Sequence, residues 1–436
     1  MNFDSVRVIN IGCKTNYHDT QCIENQFQEL GAKIINSEQP IEKEGADVFI
    51  INSCTVTHKA DRDSLQIARR IKKNFPLSKV VLTGCLAELS ENRRFSEVDY
   101  VVGNKNKFSI PEMLENDFAG KNRLSAWDKK LHKIQVSSNG RTRGFLKIQD
   151  GCDSKCAFCT VNLARGPERS LLVADVIDQL EEFVKQGFKE VNLTGIRVGQ
   201  FGRTNQESLL ELLKAIERRD NISLRIRLGS MYPNELTDEF LSFFVSSKKI
   251  CKHLHISQQS LDDSVLKAMN RFYSVAHFIS VVERVKKELI DCFIGCDLIV
   301  GFPGETDENF ETTYRNLQHL EISDIHVFGF SPRKGTKAFL MINQIDEKLK
   351  KQRVLKIKEL AREKKNAFYN KAIGRTYNVL FEKNLKETFS FIKGVTDNYI
   401  SVNNDFIKDL ENNIVPMKMT HLEKDFLRGE IVYEYK

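Results

Sequence analysis

The stretch "IQDGCDSKCAFCT", residues 148–160, places Cys152, Cys156 and Cys159 in a C-x3-C-x2-C array directly behind a short apolar run. Zinc sites ordinarily take four protein ligands, commonly as paired C-x2-C units. Here the C-x2-C pair overlaps the third cysteine, and no Cys or His follows within the next thirty residues. Three thiolates suit an iron–sulfur cube held at three corners, its fourth iron open to a small molecule. The array starts where the strand candidate "GFLKIQ" (144–149) ends. At the C-terminal end of a barrel strand, such a loop faces the usual active-site mouth.

Further along, the strand candidates "EVNLTG" (190–195), "SLRIRLGS" (223–230), "HLHIS" (253–257), "CDLIVGF" (296–302) and "DIHVFGF" (324–330) recur with a helical pattern between each pair. Six β/α units with right-handed crossovers predict an open barrel or a wound parallel sheet over residues 142–370. Residues 346–371 read as one long helix with Leu349, Val354, Ile357, Leu360, Ala361 and Phe368 on its apolar stripe. From 371 to 436 the beat is lost, and "TYNVLFEK", "ETFSFIKGVT", "YISVNN" and "GEIVYEYK" predict a small antiparallel β-barrel.

Upstream, "VRVINIG" (6–12), "ADVFIINS" (46–53) and "KVVLTG" (79–84) read as buried parallel strands, with amphipathic stretches 18–30 and 57–74 between them. Residues 1–120 are therefore an α/β parallel-sheet domain, and the polar, weakly periodic 121–141 a linker. Cys13, Cys54 and Cys85 each lie just past one of these strands. In an open α/β sheet those ends share one edge, where ligands bind. The three thiols converge there and predict a second three-cysteine cluster with an open iron. Cys22, Cys251, Cys292 and Cys296 show no such placement and read as packing residues.

Composition bounds the rest. The chain has 436 residues, 41% hydrophobic and 29% charged, as expected of a globular protein with two or three cores. No apolar run reaches the length of about eighteen residues that a membrane helix needs. The start "MNFDSVRVINIGC" lacks the layout of a secretory signal. The expectation is a cytoplasmic protein whose ten cysteines are reduced ligands or packing groups, with no membrane partner. The net charge of +7 favours a polyanion partner. Residues 346–371 carry ten Lys/Arg against four Asp/Glu, and with "RRIKK" (69–73) they are the candidate phosphate surfaces, or else simply solvated faces.

The C-x3-C-x2-C array, with Phe158 before its last cysteine and a six-strand β/α barrel behind it, resembles the radical S-adenosylmethionine (SAM) enzymes. Two three-cysteine sets followed by a small β-barrel resemble that group's methylthiotransferases, whose C-terminal barrel is a TRAM domain. "NIGCKTN", "NSCTVTHKAD", "TGCLAE", "DGCDSKCAFCTVNLARGPERS", "LHISQQSLDDSVLKAMNR" and "GCDLIVGFPGET" match the family's motifs along essentially the whole chain. The family's usual Pro is replaced by Ser257, and its Ile-Pro-Tyr-like run by "VNL" (161–163).

The resemblance implies two [4Fe–4S] clusters, a radical SAM cluster on Cys152, Cys156 and Cys159 and an auxiliary one on Cys13, Cys54 and Cys85. One SAM methylates a sulfur on the auxiliary cluster. A second SAM is cleaved at the other cluster, and a substrate C–H becomes C–SCH3. SAM contacts are implied for Phe158, Thr194, Gly195, Gly301, Gly304 and Glu305, although the "GFPGE" glycines also suit plain turn chemistry. Arg165 and Arg197 are candidate substrate contacts; Arg165 and Arg169 suit bidentate pairing with carboxylate or phosphate. His253 and His255, read as alternating, are expected to face opposite sides of their strand. The implied partners are tRNA, SAM, a flavodoxin-like or ferredoxin-like electron donor, and a sulfur source.

Family substrates are N6-threonylcarbamoyladenosine in tRNA, N6-isopentenyladenosine in tRNA, and an aspartate of a ribosomal protein. "NLTGIRVGQFG" (192–202) resembles the threonylcarbamoyl branch, with Arg197 and Phe201 where that branch has His and Tyr. The expected reaction is 2-methylthiolation of that nucleoside beside the anticodon, where unpaired bases can be splayed and stacked. The competing class is an iron–sulfur RNA-binding protein without turnover.

Overall fold

A computed structural model describes residues 3–37, 39–90, 93–116, 126–128, 131–136, 141–383 and 391–432. The N-terminal domain is a five-stranded parallel sheet, in the order Lys33–Ile34, Ser5–Asn10, Val48–Ser53, Lys79–Gly84, Tyr100–Val101. Its central three strands are the apolar runs of the sequence, buried on both faces as parallel strands are. The helices Lys14–Glu29 and His58–Asn74 return the chain.

The first of these helices begins at Lys14, where its amphipathic pattern predicts a start near residue 18. Thr15, Asn16, His18, Asp19 and Thr20 are buried although polar: the first four meet polar groups of the second domain, and Thr20 accepts from Asn52 of its own sheet. Hydrophobic periodicity registers only burial against apolar surface, so it is blind to this turn.

The second domain holds the six expected strands, Arg143–Lys147, Glu190–Thr194, Arg225–Leu228, His253–Gln259, Phe293–Val300 and Asp324–Gly329. They form two parallel three-stranded runs linked by bridges at Ile226–Ile250 and Met231–Ile256. The first and last strands are not paired with each other, so the barrel is open. Helix Lys14–Glu29 lies along the first strand: the Tyr17 and Phe145 ring centroids are 5.1 Å apart. His18 Nδ1 accepts from the Lys147 amide at 3.2 Å.

The C-terminal domain is a closed barrel of Thr376–Phe381, Phe391–Thr396, Ser401–Asp405, Ile414–Glu423 and Phe426–Ile431. Strand Ile414–Glu423 is absent from the sequence reading because Lys418, Thr420 and His421 break its apolar content. The expected strand starts at residues 387–390 and ends at 433–436 lie outside the described residues, as does much of the linker 121–141. Ile134 and Val136 of that linker are buried in the main core.

This small barrel closes the floor of the large one. Arg227, fully buried, pairs with Glu190 at 2.8 and 3.0 Å. It also donates to the carbonyls of Asp397 and Thr396 at 3.0 Å each. Tyr399, at φ +65°, sets its ring 4.9 Å from that guanidinium and 4.4 Å from the His253 ring. Among the described residues no helix is long and apolar enough to cross a membrane.

Removing one partner of a buried ion pair strands the other charge, at a cost of about 3–5 kcal/mol. Arg227→Met is therefore expected to lower the urea midpoint and to speed proteolytic release of the C-terminal barrel. An unchanged midpoint would contradict the account of the floor.

Candidate active site

Strand ends build the first thiol triad. Ser5–Asn10, Val48–Ser53 and Lys79–Gly84 are adjacent, with Asn10 opposite Asn52 and Ser53 opposite Gly84. Cys54 and Cys85 follow their strands at once, and Cys13 caps the helix behind the first. Gly84 permits the turn: its φ is +91°, and an added Cβ would lie 2.4 Å from the Ser53 carbonyl oxygen. Burial pushes the Cys54 thiol up to about 11, and the neighbouring Cys85 and Cys13 push it the same way. Asn104 Nδ2 donates to Cys85 Sγ at 3.6 Å, and Cys13 Sγ donates to Asn16 Oδ1 at 3.7 Å.

The second triad sits on the loop after the first barrel strand. Gly151, at φ +72°, lets that loop pass so close to Pro167 that an added Cβ would lie 1.9 Å from its carbonyl oxygen. The amides of Ser154 and Val161 donate to Cys152 and Cys159 Sγ at 3.4 Å each. The Tyr232 hydroxyl lies 3.6 Å from Cys156 Sγ. Burial pushes the Cys159 thiol up to about 12, with Cys156 and Cys152 adding to it.

Arg271 provides the test of what this loop is for. It is buried, and its Nε and Nη1 have no partner among the described residues. Its guanidinium lies 4.2 Å from the Tyr232 ring centroid and 5.5 Å from that of Phe158, within electrostatic reach of Cys156 and Cys159. A buried cation with unmet donors beside three thiols fits a site made for an anionic group. Three thiolates around iron are such a group, and ligation removes the thiol protons that burial would otherwise retain. The residues present fit an iron–sulfur cluster.

Both triads open on one space. A cavity of about 610 Å³ has Cys13 and Cys159 on its wall. Phe158, Thr194 and Gly195 line it too, as do His253, His255, Asp297 and His326 of the barrel lumen and Tyr399 of the floor. Thr15 and Thr194 bring their hydroxyls within 3.4 Å where the first domain meets the barrel mouth.

Several sequence-stated contacts fall elsewhere. Gly301, Gly304 and Glu305 are not on this cavity's wall. The Glu305 carboxylate accepts from the Gly301 amide at 2.9 Å and pairs with Arg353 at 2.6 Å, fixing the long helix Glu347–Ala372 to the barrel. Arg165 is fully buried and spent on internal partners, which removes it from reach of a substrate. It meets a carboxylate as expected, but that of Asp150 and through one nitrogen: Nη1 donates to both Asp150 oxygens, at 2.9 and 3.0 Å. Arg197 pairs with Glu235 and donates to Ser154 Oγ at 2.8 Å, so it steadies the cysteine loop. His253 and His255 both line the cavity, correcting the expectation of opposite faces: residues two apart on a strand share a face.

Most proposed phosphate contacts are ion-paired within the chain. In the basic helix, Lys356 pairs with Glu311 at 2.6 Å, Lys371 with Glu321 at 3.0 Å, and Arg353 with Glu305 and Asp307. Arg69, Arg70 and Lys72 pair with Glu97, Glu42 and Asp99. The exposed pairs among these are weak enough to exchange partners.

The joint between the domains was not legible in the sequence. Asp19, buried, accepts from Lys107 at 2.5 Å, from Lys147, and from Arg165 at 3.3 Å. Asp150 takes Lys147 and Arg165, each at 2.9 Å. Burial alone would raise both carboxyls, yet these cations hold them well below the usual carboxylate range.

Residues 146–317 match the family described as the Radical SAM superfamily, and residues 5–103 an uncharacterized protein family, UPF0004. The chain is 34% identical to the threonylcarbamoyladenosine tRNA methylthiotransferase MtaB of Thermotoga maritima over 91% of its own length and 89% of that protein. It is 33% identical to the protein of the same name in Bacillus subtilis, over 97% and 95%. To the tRNA-2-methylthio-N(6)-dimethylallyladenosine synthase of Clostridium tetani it is 31% identical over 97% and 95%. Among solved structures, the radical SAM methyltransferase TsrM of Kitasatospora setae aligns with a TM-score of 0.55 at 14% identity, covering 74% of this chain and 72% of that one. That likeness speaks for the fold alone.

Asp19 and Asp150 have depressed pKa values in the folded chain. Their contribution is thus present above the unfolded carboxylate value of about 4 and lost as pH falls through the lower folded values. Asp19→Asn is expected to cost about 3–5 kcal/mol at neutral pH and to flatten the loss of stability below about pH 4. Urea midpoints against pH read both effects, and a wild-type profile would contradict the joint.

Proposed function

We propose, from the premise that the chain belongs to the radical SAM methylthiotransferase family, that it converts N6-threonylcarbamoyladenosine beside the tRNA anticodon to its 2-methylthio derivative. Cys152, Cys156 and Cys159 would hold the [4Fe–4S] cluster that takes SAM, and Cys13, Cys54 and Cys85 the auxiliary [4Fe–4S] cluster. The observation that carries this reading is the shared cavity, with one thiol of each triad on its wall. Abstraction of hydrogen and delivery of sulfur at the same carbon require near-contact geometry, which two separate sites could not supply. When bound, the two groups supply the electron that cleaves SAM and the sulfur that enters the product.

The chain's own residues orient and enclose. The amides of Ser154 and Val161 and the Tyr232 hydroxyl fix the cysteine sulfurs, and Arg271 offsets their charge. Arg197 holds the loop through Ser154. Phe158, Ile196, Ile299, Phe328 and Phe330 give the cavity an apolar wall that keeps water from the reacting C–H. The relatives named for threonylcarbamoyladenosine, together with "NLTGIRVGQFG", support that nucleoside over the dimethylallyl one. A flavodoxin-like or ferredoxin-like donor and an external sulfur source complete the reaction.

Anaerobically loaded protein is expected to hold about eight irons per chain. Cys85→Ala should lower this to about four, still cleave SAM, and form no methylthio product. Cys156→Ala should abolish SAM cleavage. An iron-loaded wild type that binds tRNA and never cleaves SAM would overturn the enzymatic reading. In tRNA from cells lacking the gene, nucleoside analysis should find the 2-methylthio-threonylcarbamoyl nucleoside missing and the 2-methylthio-isopentenyl one retained. The reverse pattern would overturn the substrate.

A further inference from the structure

The cavity between the triads carries an uncompensated positive charge. Among the described residues, the Lys, Arg, Asp and Glu side chains on its wall are Lys14, Asp297 and Arg333. Arg333 is committed to Asp61 at 2.7 Å and to Thr55. Asp297 is committed to His255 Nε2 at 2.9 Å and to the Ser257 hydroxyl at 3.2 Å. Lys14 is exposed to the cavity and has no hydrogen-bond or ion-pair partner among the described residues.

The neighbouring thiols do not account for it. The cation that answers Cys13 and Cys85 is Arg165, on whose charge both thiols bear directly. Lys14 shares the cavity wall with His253 and Tyr399 at the floor of the barrel. Glu190 is already held by Arg227, and Arg143 by Glu382 at 2.6 Å. Lys14 thus lines the lumen with no described carboxylate on its wall free to neutralise it.

We propose that Lys14 binds the carboxylate on the N6 substituent of the substrate adenine, seating the base in the cavity and selecting a carboxylate-bearing side group over an apolar one. The inference rests on the substrate reading above and deepens it. In threonylcarbamoyladenosine the carbon that bears the substituted N6 and the reacting C2 flank the same ring nitrogen, N1. A base held by its N6 group between Lys14 and the triads is thereby oriented for reaction at C2. An isopentenyl group would instead leave the ammonium unpaired as it displaced water, which disfavours that substrate. In "NIGCKTN" this lysine directly follows Cys13.

The test uses the anaerobically loaded enzyme and anticodon stem-loops bearing threonylcarbamoyladenosine, its threonyl methyl ester, or isopentenyladenosine. Wild type is expected to prefer the acid over the ester by about ten- to a hundredfold in kcat/KM, the size of one charge-assisted hydrogen bond. Lys14→Gln should use acid and ester alike, and Lys14→Arg should keep the preference. Equal use of acid and ester by wild type, or an undiminished preference in Lys14→Gln, overturns the proposal. Should Lys14→Gln fail to load iron, the wild-type and Lys14→Arg comparisons decide it without that variant. A wild type that leaves the threonylcarbamoyl stem-loop untouched and modifies the isopentenyl one overturns the substrate reading itself, which is a separate outcome.

Discussion

The N-terminal sheet is seated on the barrel mouth by buried charge. Asp19 from one domain and Asp150 from the other share Lys147 and Arg165, with Lys107 closing the set. Such groups are tolerated inside a protein only when each finds its partners, so the joint admits few relative placements of the domains. Arg165 is its centre. It holds Asp150 through two oxygens, reaches Asn16 beside Cys13, and projects from the helix that follows Cys159. One side chain thus ties the two thiol triads to a common frame.

The charge count at this joint explains its chemistry as well as its geometry. Two carboxylates face Lys107, Lys147, Arg165 and, at 3.6 Å from Asp150, Arg169. The cation excess lies toward Cys13 and Cys85, whose charge bears on Arg165. A group held on the thiolates of Cys13, Cys54 and Cys85, as proposed above, would supply the missing negative charge. Arg271 has the same relation to the other triad. At the far end, Arg227 and Tyr399 close the floor of the chamber.

The grouping of six cysteines into two triads and all six barrel strands were legible because spacing and strand-end placement are local signals. The C-x3-C-x2-C array announces its own loop, and each of Cys13, Cys54 and Cys85 sits at the end of an apolar run. Residues whose partners are distant in the chain were harder to read. Arg165 looks like a free loop arginine until Asp19, 146 positions away, is placed beside it. "GFPGE" reads as a cofactor turn, yet Glu305 is claimed by Arg353, 48 positions on. The helix start at Lys14 was hidden because its polar face is buried, and with it a lysine on the chamber wall.

The central claim is that two three-thiol sites open on a single chamber. Anomalous diffraction at the iron edge, on crystals of the anaerobically loaded protein, tests it most directly. The account predicts two iron peaks, one bounded by Cys13, Cys54 and Cys85 and the other by Cys152, Cys156 and Cys159, both bordering the cavity that His255 and Thr194 line. A single peak, or two peaks separated by the Asp19–Arg165 joint with no open path between them, would contradict it.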